Sequence, residues 1–532
     1  MTDLGALDYI WLGILAVFQG PEAFSLLGVS VSITVMMVAF GLVLGIVVGA
    51  TPGLGGVIAM AISLPILISI FGFSSDALLP VMGFLIGVMK GSTVGGAVPA
   101  ILFNTPGTPD AFMTTLDGYP MAKSGKARKA LKISHFSSVT GDTFSDIVLI
   151  ICAPFLAILV EAYLDLPEKT ALLILSLSFI AAVVGESAAK GLLSCGLGLL
   201  AVYIGTGEDF YPRLSFGSAA LSDGIPITAA IIGVLVIGAI FAELENLWHQ
   251  KRHTGAIEVA KDEGDQRLHW ADIRRILPYI GRSAVIGTTI GALPGVGSTL
   301  AATIGYATGR RYHAKNKKPG DPEFGQGASE GIAATEAANS SVSGANLIPV
   351  LSLGIPGNTA AVFLILAAES IGGFNPGPAV FKFSSDLNPE LVIAFGLFTT
   401  MILANLLNWT VGGVFMRSLG ALVRIPKQYL LPVVLLLTLA SLYVEETSIS
   451  AIWFAFGFGI LGYFMMRFAI SPLPFVIGFI LGGRIEDTAR QAFSATGGDP
   501  LFLLKSPISA AFILCAFAVI FLSLRKPKAD KT

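Results

Sequence analysis

Residues 291–299, GALPGVGST, place three glycines and a proline inside the apolar run SAVIGTTIGALPGVGSTLAATIGY. A phosphate-binding loop needs G-x-x-x-x-G-K-[ST] after a strand, and here no lysine follows the glycines. Backbone chemistry is the alternative. Proline removes a helical hydrogen bond and crowds the preceding turn, and glycine lifts the side-chain restriction on the backbone. Together they unwind a helix. Half-helix N-termini then attract an anion, and freed carbonyls can ligate Na+.

The motif occurs twice. GIVVGATPGLGG (45–56) and GTTIGALPGVGS (287–298) share Gly45/Gly287, Gly49/Gly291, Ala50/Ala292, Pro52/Pro294, Gly53/Gly295 and Gly55/Gly297. A second pair follows: PAILFNTPGTP (99–109) and PVLSLGIPGNT (349–359) share Pro99/Pro349, Pro106/Pro356 and Gly107/Gly357. The first pair is separated by 242 residues and the second by 250, so the later copy carries extra chain, assigned to the polar loop 309–331. Order is preserved, which marks an internal duplication.

Polar residues cluster at the breaks. The first copy offers Ser92, Thr93, Asn104, Thr105 and Thr108 beside Pro106 and Gly107; the second offers Asn346, Ser352, Asn358 and Thr359 beside Pro356 and Gly357, with Asn339, Ser340, Ser341 and Ser343 upstream. Hydroxyls and amides can hold a carboxylate through neutral donors; helix packing is the competing role. Lys90 is read either as a partner for a substrate carboxylate or as a snorkelling helix-end cation. Asp142 and Asp146 are four apart, on one helical face. Capping the next helix is the favoured expectation, and proton-coupling carboxylates are the alternative. Backbone carbonyls around Pro52, Gly53, Pro294 and Gly295 are candidate Na+ ligands.

The elements that must position these groups are membrane helices. Hydrophobic residues make up 54% of the 532 and mean hydropathy is +0.78. Only 13% are charged, against about 25% in soluble domains. Apolar runs of about twenty residues recur, long enough to span a bilayer as helices, and they lack the alternation of β-barrel strands. The expected fold is an all-α polytopic membrane protein built from two repeats with Gly/Pro-broken helices or re-entrant hairpins. The segments are 1–25 (periplasmic or interfacial), repeat 26–243, a solvated cytoplasmic linker 244–279, repeat 280–525 and a cytoplasmic tail 526–532. Equivalent loops carry opposite basic bias: KSGKARKALK (123–132) follows the second motif in the first copy, whereas GRRYHAKNKK (309–318) lies between the motifs in the second. By the positive-inside rule the copies are inverted, with the N-terminus periplasmic and the C-terminus cytoplasmic. Paired broken segments in inverted repeats point to a midplane transport site.

Other classes fit poorly. Net charge is −2, so no nucleic-acid partner is indicated. Cys152, Cys195 and Cys515 sit in apolar segments without zinc or disulfide spacing. The five histidines lie in or beside polar segments and no H-E-x-x-H occurs, so an enzyme is not expected. A channel or scaffold subunit without active coupling is the runner-up.

GATPGLGG, GSTVGGAVPAILFNTPGTPDAFMTTLDGYPMAKSGKA, GALPGVGST and ANLIPVLSLGIPGNTAAVFLILA together resemble the large membrane subunit of the tripartite tricarboxylate transporters, the TctA family. The resemblance implies ion-coupled uptake (symport) of a tri- or dicarboxylate with Na+ or H+ and no other cofactor. It implies residence in the bacterial inner membrane. It also implies two partners: a small TctB-like membrane subunit and a TctC-like periplasmic solute-binding protein. An elevator-like motion of the domain carrying both break pairs is the expected mechanism.

Overall fold

A computed structural model describes the chain apart from residues 1–4, 27, 52–53, 186, 206–212, 223, 250–264, 318, 384–386, 415–426 and 526–532. The chain begins with α1 (Ala6–Phe18), a short antiparallel hairpin (Glu22–Leu26 with Val29–Ser32), α2 (Ile33–Gly49), α3 (Gly55–Phe71), α4 (Ser75–Phe103), α5 (Thr115–Met121) and α6 (Ala127–Tyr163). There follow α7 (Leu166–Val183), α8 (Ala188–Val202), α9 (Ile227–Ile232) and α10 (Gly238–His249). The second copy supplies α11 (Trp270–Gly291), α12 (Ser298–Asn316), α13 (Ser329–Ala345), α14 (Leu347–Leu353), α15 (Thr359–Ile371) and α16 (Pro389–Leu407). The remaining long helices are Lys427–Glu446, Ile449–Arg467, Leu473–Ala495 and Pro507–Arg525. Among the described residues, seven helices are long and apolar enough to cross a membrane. The chain is a polytopic α-helical membrane protein.

Two compact units emerge, and neither follows the sequence halves. The first holds Met1–Ala157, Lys251–Leu293 and Gly297–Leu430; the second holds Ile158–Gln250, Pro294–Val296 and Leu431–Thr532. In the second unit Leu473–Ala495 packs on α7 and α8, and Pro507–Arg525 packs on α7. Ser194 ties two elements there, donating to the Ser471 carbonyl (2.6 Å) and accepting from Phe475 N–H (3.0 Å).

The first unit contains one packing arrangement twice. α2 lies along α4, and α11 lies along α13. Gly45 and Gly49 of α2 rest on α4 at Val88 and Ser92, and a Cβ at either would collide with that backbone. Gly287 and Gly291 of α11 rest on α13 at Ala338 and Val342 in the same way. The offsets are those of the sequence motifs, 242 on one helix and 250 on its partner. Lipid tails give helices no hydrophobic reason to associate, so close packing through small residues must hold them. The extra chain of the second copy falls in 317–328, between α12 and α13, where α3 and α4 are joined by 72–74.

In the N-terminal segment α1 packs on α16, with Gly13 against Phe395 and Gly396, and Tyr9 Oη accepts from Asn388 N–H (3.0 Å). Of the span 244–279, the described residues are 244–249 and 265–279. α10 reaches His249 and α11 starts at Trp270. Gln266 accepts from Arg128 N–H (3.1 Å) and donates to the Gly125 carbonyl (2.5 Å), and its own carbonyl accepts from Lys132 (2.8 Å). Lys251, Arg252 and His253 lie outside the described residues.

Gly45→Ala and Gly287→Ala are expected to destabilise by about 1–3 kcal/mol each through overpacking. Gly457→Ala, with nothing within 4 Å of an added Cβ, should leave the thermal transition of the purified protein unchanged. Equal transitions for all three variants would refute the seam.

Candidate functional site

The second motif folds alike in both copies. α4 ends at Phe103, and Asn104 takes a left-handed conformation (φ 53°, ψ 28°). α14 ends at Leu353, and Gly354 does the same (φ 71°, ψ 22°). Thr105 N–H donates to the Pro99 carbonyl and Ile355 N–H to the Pro349 carbonyl, each at 3.2 Å. This backward bond closes a helix end whose carbonyls have lost their intrahelical donors. Thr108 then precedes a single 3₁₀ turn (Pro109–Phe112), and Asn358 caps α15, accepting from Ala361 N–H at 2.8 Å.

The second-motif breaks of both copies lie within the first unit. Gly107 sits against the Gly49 carbonyl, so both motifs of the first copy touch, and Gly107 N–H donates to the Gly96 carbonyl at 3.1 Å. The copies also exchange neighbours. α3 of the first packs on α15 of the second, while α12 of the second packs on the 109–112 turn of the first. Thr299, the last residue of GALPGVGST, donates to Asp110 at 2.7 Å. Pro294–Val296 cluster with the second unit, where Gly295 (φ +80°) stands against Ile180 and Val184. Pro52 and Gly53 lie outside the described residues. Gly55 has φ +61°, and Gly297 precedes α12 in extended backbone.

The polar candidates divide in two. Ser92 and Thr93 both donate back to the Met89 carbonyl (3.0 and 3.1 Å), and Ser352 donates to Ile348 (2.6 Å). Thr105 donates to Phe103 (3.2 Å). These hydroxyls satisfy their own helix or turn. Thr108 Oγ1 and both amide atoms of Asn346 are buried with no hydrogen-bond partner among the described residues. Thr108 lies against Gly96, and Asn346 against Gly357. The Asn346–Gly357 contact is the counterpart of Gly96–Gly107 in the first copy, and Thr108 follows one residue later; the orphaned atoms can receive or donate to a ligand. Thr359 opens α15, half-buried. Asn104 is exposed.

Lys90 lies in the middle of α4, not at a helix end from which it would snorkel. Its ammonium is fully buried and donates to Asp142 Oδ2 (2.8 Å), Asp146 Oδ2 (2.7 Å) and Asn405 Oδ1 (3.2 Å). Asn405 Nδ2 donates in turn to Asp146 Oδ2 at 2.7 Å. Asp142 and Asp146 cap no helix, because α6 runs unbroken from Ala127 to Tyr163. Gly141, just before Asp142, allows α6 to approach Ala337 and Ser341 of α13.

Sequence reasoning missed further partners. Glu336 is buried and takes the hydroxyls of Thr114 and Ser138, the latter at 2.7 Å. Asp117 of DGYP accepts from the N–H groups of Gly325, Gly327 and Ala328 at 2.8, 3.0 and 2.8 Å. More than two hundred residues separate those groups, so the only sequence signal was the DGYP motif itself. A cavity of about 350 Å³ elsewhere in this unit is lined by Arg128, Lys132, His135, Phe136 and Trp409, among others. Lys132 and His135 there are engaged by the Gln266 and Asn408 carbonyls (2.8 and 3.0 Å).

Lys90→Met is expected to cost about 3–5 kcal/mol, because two buried carboxylates lose their cation. The triple variant Lys90→Met, Asp142→Asn, Asp146→Asn should recover most of that loss. Melting temperatures in detergent decide it; a triple variant no more stable than the single one would deny the charge pairing.

Comparison with known proteins now bears on this arrangement. A 52.8 kDa uncharacterized protein of Agrobacterium vitis, named for its place in the TAR-I ttuC' 3' region, is 31% identical over 494 residues, 91% of this chain and 92% of its own. A second uncharacterized protein of that organism, from the TAR-II ttuC' 3' region, is 30% identical over 242 residues, 45% of this chain and 93% of its own. No solved structure matches. The sequence profile of the tripartite tricarboxylate transporter TctA family matches residues 35–477. With the match running through both copies of the broken motifs, the chain belongs to the tripartite tricarboxylate transporter TctA family.

Proposed function

We propose that this chain is the permease of a cation-coupled importer for a tri- or dicarboxylate. The observation that carries the reading is the pair of duplicated breaks in the first unit, each bringing a buried, unpartnered polar side chain (Thr108, Asn346) to a Pro-Gly turn. Neutral donors at unwound backbone suit a carboxylate, which needs many hydrogen bonds and keeps its charge. α15 opens at Thr359 directly after the Pro356–Gly357 turn, and its N-terminus adds partial positive charge there.

The anion is delivered by a periplasmic solute-binding protein to this chain and a small membrane subunit in the inner membrane. The cation is Na+ or H+, and Pro294 and Gly295 carbonyls are candidate Na+ ligands. The repeats are inverted, with the N-terminus periplasmic and the C-terminus cytoplasmic. The domain bearing the breaks moves in an elevator-like manner. Cross-links that immobilise that domain yet leave uptake intact would refute the motion.

In proteoliposomes holding this chain with its small subunit and binding protein, labelled carboxylate should accumulate above its external concentration. Collapse of the cation gradients should abolish accumulation; downhill equilibration alone would mark a channel. Thr108→Val and Asn346→Ala should each raise the half-saturating substrate concentration about tenfold, the loss of one hydrogen bond to a charged group. Unchanged uptake in both would remove these residues from the site.

A further inference from the structure

Along α6, Ser134, Ser138, Asp142 and Asp146 recur every four residues and form one stripe. α13 faces it. Ser138 donates to Glu336 (2.7 Å), Gly141 abuts Ala337 and Ser341, and Gly344 abuts Ser145 and Asp146. The contacts advance together along both helices. Ser340 lies one turn after Glu336 and one turn before Gly344, which puts it level with Asp142. Ser340 occupies the position in the second copy that Lys90 occupies in the first.

The charges around this seam do not balance. All three Lys90 donors are used by Asp142, Asp146 and Asn405, so the amine is an ammonium. Two carboxylates face that one cation. From α16 comes only neutral Asn405; α2, on the far side of α4, has no titratable residue. α13 brings Glu336, whose two oxygens are taken by Thr114 and Ser138. An uncompensated charge in a membrane interior is expensive. The excess also has an address. Asp142 Oδ1, Asp146 Oδ1 and Ser340 Oγ are buried and have no partner among the described residues. Asp146 Oδ1 is pressed against Gly344, and the ammonium fills the space between the other carboxylate oxygens. A proton requires no coordination sphere, whereas Na+ requires room for several oxygens.

We propose that the Lys90–Asp142–Asp146 cluster binds one exchangeable proton, carried on Asp142 beside Ser340, and that this proton is the ion coupled to uptake. With the proton bound the cluster is neutral and the carboxylic acid gains a donor for an oxygen in the seam. Without it, one buried negative charge remains. The coupling role rests on the transport reading above; the proton site does not.

The test uses the purified full chain in lipid and dicyclohexylcarbodiimide, which modifies protonated carboxyl groups in apolar surroundings. Mass spectrometry should place an adduct on the α6 peptide that carries Asp142 and Asp146. It should form several-fold faster at acid than at alkaline pH and equally fast in sodium and choline chloride. Glu336→Gln should retain it and Asp142→Asn should lose it. If Asp142→Asn does not fold, the position and pH dependence of the wild-type adduct still decide. No α6 adduct, a rate indifferent to pH, or protection by sodium would each overturn the proton site. In the reconstituted complex, an inward proton gradient should drive accumulation without sodium. Accumulation indifferent to pH but driven by sodium would overturn the coupling role. Absence of any accumulation with the labelling intact would refute the transport reading and leave the proton site standing.

Discussion

Backbone lying directly on backbone is the constraint from which the first unit follows. At five described glycines, Gly41, Gly45 and Gly49 in the first copy and Gly287 and Gly291 in the second, the first helix of a repeat has no room for a Cβ against the third. The α2–α4 seam is lined from both sides, because Gly87, Gly91 and Gly95 of α4 meet the Val38, Leu42 and Ile46 carbonyls of α2. Such contact substitutes for the hydrophobic drive that lipid cannot supply. It also fixes the rotation of α4 and α13 about their axes. Once one face is pinned to a neighbouring backbone, the opposite faces are set, and these carry Lys90 and Glu336. Beyond the seams the chain unwinds, at Asn104 after α4 and at Gly354 after α14. The unwound chain from Gly354 to Gly357 and at Gly107 is buried in protein, a setting in which a membrane interior tolerates it, whereas Asn104 and Thr105 are exposed.

The pinned faces enclose a polar layer. Lys90 reaches α6 and α16 at once, so one ammonium joins three helices through Asp142, Asp146 and Asn405. Burying such a group rarely adds stability over a well-packed apolar substitute, whereas breaking it is severe. Its retention therefore argues for a role other than holding the fold. The Asp117 carboxylate is different. It gathers three backbone N–H groups from the loop before α13 and orders a glycine-rich segment that has no helix of its own. Gly331 leaves space for that carboxylate, since an added Cβ there would strike Asp117.

How much of this was legible in the sequence depends on the range of each interaction. The breaks were legible because Pro-Gly chemistry acts within a few residues. The duplication was legible because its offset recurs, and the same offset reappears in the packing of Gly45 on Val88 and Gly287 on Ala338. The spacing of Asp142 and Asp146 showed that they share a face but not what that face meets, and their cation lies 52 and 56 residues away on another helix. The same pair was expected to cap a helix, yet it lies in the middle of a 37-residue helix, where Gly141 permits a close crossing with α13. Ser92, Thr93 and Ser352 were indistinguishable by type from Thr108 and Asn346. Only the fold separates hydroxyls spent on their own helix from side chains left without a partner.

Duplication also limits what the two copies can do. They share the backbone but not the charges: Ile86, Lys90 and Gly96 in the first correspond to Glu336, Ser340 and Asn346 in the second. The first copy thus contributes the buried cation, and the second contributes a buried carboxylate and an amide. Thr108 corresponds to Asn358, and Asp110 to Ala360. Two equal half-sites would bind a symmetric ligand twice or hold identical ions on either side. This unit instead has one polar layer with different groups on each side, built on a scaffold whose geometry repeats. Repetition supplies the breaks, and divergence decides what they hold. Because Lys90 and Ser340 occupy equivalent positions in the two copies, the unequal charge of the two copies is a product of that divergence.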